Sequence, residues 1–265
     1  MTALSDALAK AKADGRAALI GYLPVGFPSV DVSIEAMCAM VAAGVDVVEV
    51  GVPYSDPVMD GPTIQAATEQ AVRAGVGVRD ALAAVRAVAD AGAAAVTMGY
   101  WNQVERFGVD AFAAELAAAG GSGAITPDLI PEEAADWIAA SDAHDLDRVF
   151  LVAPSSTDAR IVSTVAASRG FVYATAVMGV TGARASVGQA ADALVARVRS
   201  LAPQLPVCVG LGVSTGQQAA EVAGFADGVI VGSALVKRLL DSPDAAGVAA
   251  VAELTAELAA GVRRR

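Results

Sequence analysis

A parallel (β/α)8 barrel is the fold class this sequence of 265 residues predicts, and three observations carry the prediction. Short apolar runs alternate with helical patterns eight times along the chain. The repeat recurs about every 30 residues, the spacing of a strand and its returning helix. Hydrophobic residues make up 55% of the chain and aromatics only 5%, so the interior must be filled by Ala, Val, Leu and Ile, which suit buried parallel strands. A count of eight points to a closed α/β TIM barrel, of the triosephosphate isomerase type, rather than an open doubly wound sheet. No low-complexity linker divides the chain, and residues 1–265 are expected to form a single domain.

The elements follow in order. MTALSDALAKAKADGR reads as an extra N-terminal helix, and AALIGYL (Ala17 to Leu23) as the first strand. A helix with Val30, Ile34, Met37 and Val41 on one face comes next, with Ser29 as N-cap and Gly44 past its end. VDVVEVG is the second strand, followed by helices near 62–74 and 79–91, so one helix there is extra. The alternation continues with strand 94–100, helix 109–119, strand 122–126, helix 131–141, strand 148–153 and helix 157–167. The last third gives strand 171–175, helix 189–200, strand 206–210, helix 214–223, strand 227–232, and again more than one helix to the end. Ser214 with Gln217 fits a capping box, Ser242 before Pro243 an N-cap with proline at the first helical position, and Pro131, Glu132 and Glu133 a charged helix start.

The net charge of −11 argues against nucleic acid or an anionic membrane as partner, since both need a basic face. Arg263, Arg264 and Arg265 read as a solvated tail. No secretory signal opens the chain, and no apolar run approaches the roughly 20 residues of a membrane span, so a cytoplasmic location is expected. Cys38 and Cys208 give no disulfide framework. With His144 the sole histidine, and read as a surface residue at a helix end, neither a metal site nor a Ser/His/Asp triad is expected.

Barrels of this class act at the C-terminal ends of their strands, often with a phosphate site after strands seven and eight. Gly210, Leu211 and Gly212 follow the seventh strand, and Gly232 and Ser233 the eighth; Gly182 in GVTGAR is a third candidate. Each glycine is either a tight turn or a place where a backbone N–H approaches an oxyanion. Lys237 and Arg184 either assist or are solvated. Glu49 stands on the second strand; if it points inward so does Val47, while Asp46, Val48 and Val50 face the helices. Burial at the mouth of an apolar core would raise its pKa, whereas Asp56 or Asp60, in the following loop, would stay ionised. The alternatives at this point are an acid/base pair or a structural carboxyl beside loop-forming aspartates.

The segments VVEVGVPYSDPVMDGPTIQAA, MGYWN, TPDLIPEE, VFLVAPSSTD, GFVYA, GVTGAR, VGLGVS and DGVIVGSALVK span nearly the whole chain. In content and order they resemble the tryptophan synthase alpha subunit family. The resemblance implies retro-aldol cleavage of indole-3-glycerol phosphate to indole and glyceraldehyde 3-phosphate, with no cofactor in this chain. It implies Glu49 as the general acid/base and Asp60, after SDPVM, as the group that stabilises charge at the indole N–H; Asp56 becomes a loop or interface residue. Tyr173 and Tyr100 would line the indole pocket or support the carboxylates, with Tyr22 and Leu211 packing against the ring; Gly182, Gly212, Gly232 and Ser233 would hold the phosphate, and Thr181, in loop 178–184, would be the lid residue that closes toward Asp60.

The implied partner is a beta subunit carrying pyridoxal phosphate, which receives indole in an αββα heterotetramer and meets loops 53–60 and 178–184. A stand-alone indole-releasing lyase, a noncatalytic activator of a beta subunit and another phosphate-binding barrel enzyme are the alternatives. The chain departs from many members at Phe27, where Asp is usual between Gly and Pro, at Gln103, where Pro often follows Asn, and in the apolar TAVM before GVTGAR. These departures bear on rim contacts, lid packing and subunit coupling.

Overall fold

The computed structural model describes residues 1–175 and 184–263, the side chains of 184–187 excepted. Its strands are β1 (Ala18–Pro24), β2 (Val47–Gly51), β3 (Ala94–Met98), β4 (Gly123–Ile125), β5 (Asp147–Val149), β6 (Leu151–Val152), β7 (Val172–Thr175), β8 (Val207–Gly210) and β9 (Gly228–Val231). All pairings are parallel, in the order β5, β4, β3, β2, β1, β9, β8, β7, β6. The two ends of that order are consecutive in the chain. Phe150 separates them, and its carbonyl accepts from Tyr173 N–H at 3.1 Å. Thus β5 and β6 are two halves of the expected fifth strand, one paired to β4 and the other to β7, and the barrel is all but closed there.

The helices are α1 (Ala3–Ala13), α2 (Val30–Ala42), α3 (Pro62–Arg73), α4 (Val78–Asp90), α5 (Trp101–Phe107), α6 (Val109–Ala118), α7 (Ala135–Ala143), α8 (Asp158–Ala167), α9 (Arg184–Leu201), α10 (Gly216–Ala223), α11 (Ser233–Asp241) and α12 (Ala245–Val262). The extra helices expected at the N-terminus and after the second and eighth strands are α1, the α3–α4 pair and the α11–α12 pair. A further one, α5, follows β3; Gly108 at φ +97 breaks it from α6.

Local chemistry shifts several expected boundaries. Ser29 does cap α2, accepting from Val32 N–H, but the fully buried face of that helix is Ser33, Ala36, Met37 and Met40, with Val30, Ile34 and Val41 on its margins. The cap of α10 is Thr215, which accepts from Gln218 N–H, while Gln218 Oε1 takes the Ser214 N–H at 2.8 Å. The cap therefore sits one residue later than Ser214, and the glutamine that closes back, Gln218, takes the N–H of the residue before the cap. Ser242 ends α11, and Asp244 caps α12. Pro131 starts a short 3-10 turn over Pro131–Glu133, where Glu132 pairs with Arg160, and α7 begins only at Ala135.

Two apolar layers result. Val48 and Val50 pack outward against the helices, while Ile20, Val47, Val96, Ile125, Val149, Phe171, Cys208 and Ile230 fill the barrel, as strand alternation requires. From below, Leu4, Leu8 and Ala11 of α1 join that interior cluster, and Thr2 donates from the cap of α1 to buried Asp147. The plug is thus both apolar and hydrogen-bonded. His144 is exposed at the end of α7, as expected.

Among the described residues one helix, α12, is long and apolar enough to cross a membrane, yet half of it is buried, against α2, α10 and α11. Its approach to α10 depends on glycine: a Cβ on Gly261 would lie 2.2 Å from the Gly216 carbonyl oxygen. Gly261→Ala is expected to destabilise the fold by about 1–3 kcal/mol through overpacking, although alanine is the better helix former by about 1 kcal/mol. Urea unfolding measures the sign, and a more stable variant would mean the contact gives way freely.

Candidate active site

At the C-terminal end of the barrel the wall turns from apolar to ionisable. Glu49 is level with Tyr22 of β1 and Val96 of β3. It is 1% exposed, and its Oε1 has no hydrogen-bond partner among the described residues. Burial pushes its pKa up to about 8, because a charge there would lose its water without gaining a counter-ion among the described residues. The group is therefore mostly protonated at neutral pH.

Two tyrosines flank it. Tyr22 is buried, and its hydroxyl is held well above the usual range, first by burial and then by the charges of Asp60 and Glu49. Tyr173, facing Cys208 across the β7–β8 register, is raised by burial first and then by Glu49. Both rings need glycine as a neighbour. A Cβ on Gly51 would stand 2.5 Å from the Tyr22 hydroxyl, and one on Gly210 2.5 Å from that of Tyr173. At these two strand ends glycine makes room for the phenols.

Asp60 reaches the same mouth from the loop between β2 and α3. Proline at 53 and 57 stops the strand from continuing, and the loop folds on itself: Val58 N–H donates to Asp56 O at 2.8 Å and Asp60 N–H to Pro57 O at 3.0 Å. Gln65 in the first turn of α3 donates to the Asp60 carbonyl at 2.8 Å. The Asp60 carboxyl is lifted to about 6 by burial, higher than an ordinary loop aspartate, yet it remains charged near neutrality. Asp56 is exposed and takes the Ser55 hydroxyl at 2.6 Å.

Tyr100 and two side chains not assigned to the site from sequence hold this loop. Tyr100 accepts from Met59 N–H at 2.9 Å and stacks on Tyr54 at 4.9 Å. Gln103 donates to Pro53 O at 2.7 Å. Tyr54 lay in view within PYSDP, but its partner is 46 positions away. Gln103 stood out only as a departure from a family pattern.

Opposite, Leu211 packs on the core margin and Gly212 is exposed at φ +65, a conformation that favours glycine. Gly232 precedes Ser233, the first residue of α11, on the strand adjacent to β8, so loop amides and a helix N-terminus adjoin. Lys237 turns to Asp241 at 2.8 Å, exposed, and is not part of this cradle. Thr181 and Gly182, with the rest of 176–183, lie outside the described residues, as does the Arg184 side chain. Phe27 is buried, so that departure belongs to the interior rather than the rim.

A parallel barrel with two carboxyls of unlike environment at its C-terminal mouth defines a class: an α/β-barrel enzyme equipped for acid–base chemistry. The comparisons make the class particular. The model of the family described as tryptophan synthase alpha chain matches residues 8–263. The tryptophan synthase alpha chain of Thermobifida fusca is 63% identical over 99% of this chain and 98% of its own length. A tryptophan synthase structure from M. tuberculosis superposes with a TM-score of 0.91 at 57% identity, covering 99% of both chains. The alpha subunit from Legionella pneumophila str. Paris gives 0.90 at 30% identity, over 99% and 98%. The chain belongs to the tryptophan synthase alpha chain family. It is a lyase of tryptophan biosynthesis that cleaves indole-3-glycerol phosphate to indole and glyceraldehyde 3-phosphate, and an alpha chain implies a beta-subunit partner.

The raised pKa of Glu49 carries a stability consequence. The folded state holds this proton more tightly than the unfolded chain does, so the contribution to stability is full below the ordinary value of 4.5 and is lost as pH rises to about 8. Gln cannot ionise. Glu49→Gln should raise the Tm relative to the parent more at pH 8 than at pH 5; equal differences at both pH values would place Glu49 in a solvated setting.

Proposed function

We propose that Glu49 and Asp60 divide the chemistry of the cleavage between them. The bond to be broken joins indole C3 to a carbinol carbon, and indole leaves only if C3 first accepts a proton. Protonated Glu49 donates it. The ring becomes an indoleninium, whose positive charge the Asp60 carboxylate stabilises at the N–H. The Glu49 carboxylate then takes the proton of the glycerol hydroxyl as the C–C bond breaks, the bonding pair returning to the ring and the carbinol becoming an aldehyde. Glu49 ends protonated, ready for the next turn. The observation that carries this assignment is a buried carboxyl with an unpartnered oxygen and a pKa near 8, beside an aspartate that is still charged at that pH.

In the same reading Tyr22, Tyr100, Tyr173 and Leu211 border the indole, and Gly182, Gly212, Gly232 and Ser233 receive the phosphate on backbone N–H groups. This arrangement would let an acidic protein bind an anion. Thr181 closes toward Asp60 as a lid. Residues 1–265 act as one cytoplasmic domain without a cofactor of its own. The beta subunit supplies pyridoxal phosphate and takes up indole through a tunnel in an αββα assembly. Val58, 82% exposed, and Met59, 54% exposed, on the loop that holds Asp60 give that partner an apolar surface to cover.

Three measurements test the proposal. The purified chain should cleave indole-3-glycerol phosphate slowly alone and faster when mixed with a beta subunit; full speed alone would point to a stand-alone lyase. Glu49→Gln and Asp60→Asn should each lower kcat by about 10²–10⁴-fold while retaining binding of a substrate analogue, and a parental rate in either removes that residue from its role. The kcat/KM profile should be bell-shaped. It should fall below about 6 as Asp60 protonates and above about 8 as Glu49 loses its proton, and a flat profile across that range contradicts the pairing.

A further inference from the structure

The Tyr22 ring lies across the mouth of the barrel, and strand pairing fixes where its hydroxyl stands. Tyr22 comes two residues after inward-facing Ile20 on β1, so it too faces inward, and its Cα is level with Glu49 on β2. From there the ring leans toward the rim. A Cβ on Gly51, the next inward position above Glu49, would lie 2.5 Å from the hydroxyl, and one on Gly232 would lie 3.3 Å from Cδ1 at the other edge of the ring. The hydroxyl therefore stands one pleat above Glu49, at the strand end from which the loop to Asp60 departs. Tyr22 is buried, and no hydrogen bond among the described residues engages its oxygen.

Asp60 is the acceptor that this position offers. Its charge bears on Tyr22 more than that of Glu49 does, whereas at Tyr173 the order is reversed. Burial alone moves the Asp60 carboxyl, with no hydrogen bond or ion pair among the described residues to hold its charge. The other titratable groups at this mouth are Glu49 on β2, Tyr173 on β7, Tyr100 ahead of α5 with Asp128 acting on it, and Tyr54 and Asp56 on the loop itself. Tyr100 already takes Met59 N–H on its oxygen at 2.9 Å, and Glu49 is mostly protonated at neutral pH. A half-buried carboxylate gains most from a donor, and an unengaged phenol has one O–H to give. We propose that Tyr22 is a positioning residue for the cleavage: once substrate fills the mouth, its hydroxyl donates to the Asp60 carboxylate, keeping that group charged and turned to the indole N–H. The two parts of the side chain then have separate duties. The ring borders the substrate, and the hydroxyl acts through Asp60. The inference rests on the role given to Asp60 above.

Tyr22→Phe tests it, because a single oxygen is lost and the ring still fills the space between Gly51 and Gly232. In the chain assembled with its beta subunit, the variant should lower kcat about tenfold at pH 7 and change KM less than about twofold. The acid limb of the kcat/KM profile should rise above about 6, since a donor to the charged form holds a carboxyl's pKa down and its loss lets the value climb. The alkaline limb should stay near 8. A parental rate with both limbs in place overturns the proposal. So does a raised KM with an unmoved acid limb, the result of ring packing alone, and so does a shift of the alkaline limb only, which would put the phenol on Glu49. A crystal structure of the parent with a substrate analogue should bring Tyr22 Oη within about 2.5–3.0 Å of an Asp60 oxygen, and a wider gap counts against the pairing. Asp60→Asn separates the failures. Full activity there defeats the reading of Asp60 itself, while lost activity there beside an unchanged Tyr22→Phe defeats only this inference. Where both variants are slow, the double variant should be no slower than Asp60→Asn, and additive losses overturn the link between the two residues.

Discussion

A carboxyl shut away from water carries its charge only at a cost in free energy, and Glu49 sits in such a place at the top of an apolar barrel. Much of the mouth can be understood as a response. Strand parity points Glu49 inward above Val47, and among the described residues the neighbouring wall offers tyrosines, with no lysine or arginine acting to hold it ionised. Glycine at 51 and 210 lets those phenols lie close. The group that remains charged, Asp60, is kept on a loop instead of the wall, where partial access to solvent limits the rise of its pKa. In the proposed division of labour, distance from water would decide which carboxyl gives a proton and which stabilises a cation.

That arrangement separates rigidity from adjustability. Glu49 belongs to the parallel ladder between β1 and β3. Asp60 is placed by contacts of a different kind: a stacked tyrosine pair, a phenol on a backbone N–H, and an amide on a backbone carbonyl. These can yield without disturbing the barrel. A partner resting on Val58 and Met59 would therefore act on the aspartate first.

How much of this was legible in the sequence depended on the range of the interaction. Alternation along VVEVG is local, so the inward Glu49 and outward Val48 and Val50 could be read directly, as could the Ser29 cap. Adjacent hydroxyls followed by adjacent glutamines at Ser214, Thr215, Gln217 and Gln218 offer two capping frames, and the fold takes the later hydroxyl as cap. Helix α5 is short and abuts α6, so WNQVERF gave no periodicity to detect. The fifth strand divides because its two halves pair with neighbours on opposite sides of the closure, which no local pattern records. The grip of Gln103 on Pro53 spans 50 positions, and the lift of the Asp60 pKa comes from burial that a polar loop sequence does not announce.

The plug formed by α1 bears on traffic. Leu4, Leu8 and Ala11 fill the lower end of the barrel, and Thr2 latches the plug to Asp147, so the vessel has a floor. Among the described residues the lower end is filled, so substrate entering by the rim would leave by the same side. Whatever covers that rim would then govern admission and exit together.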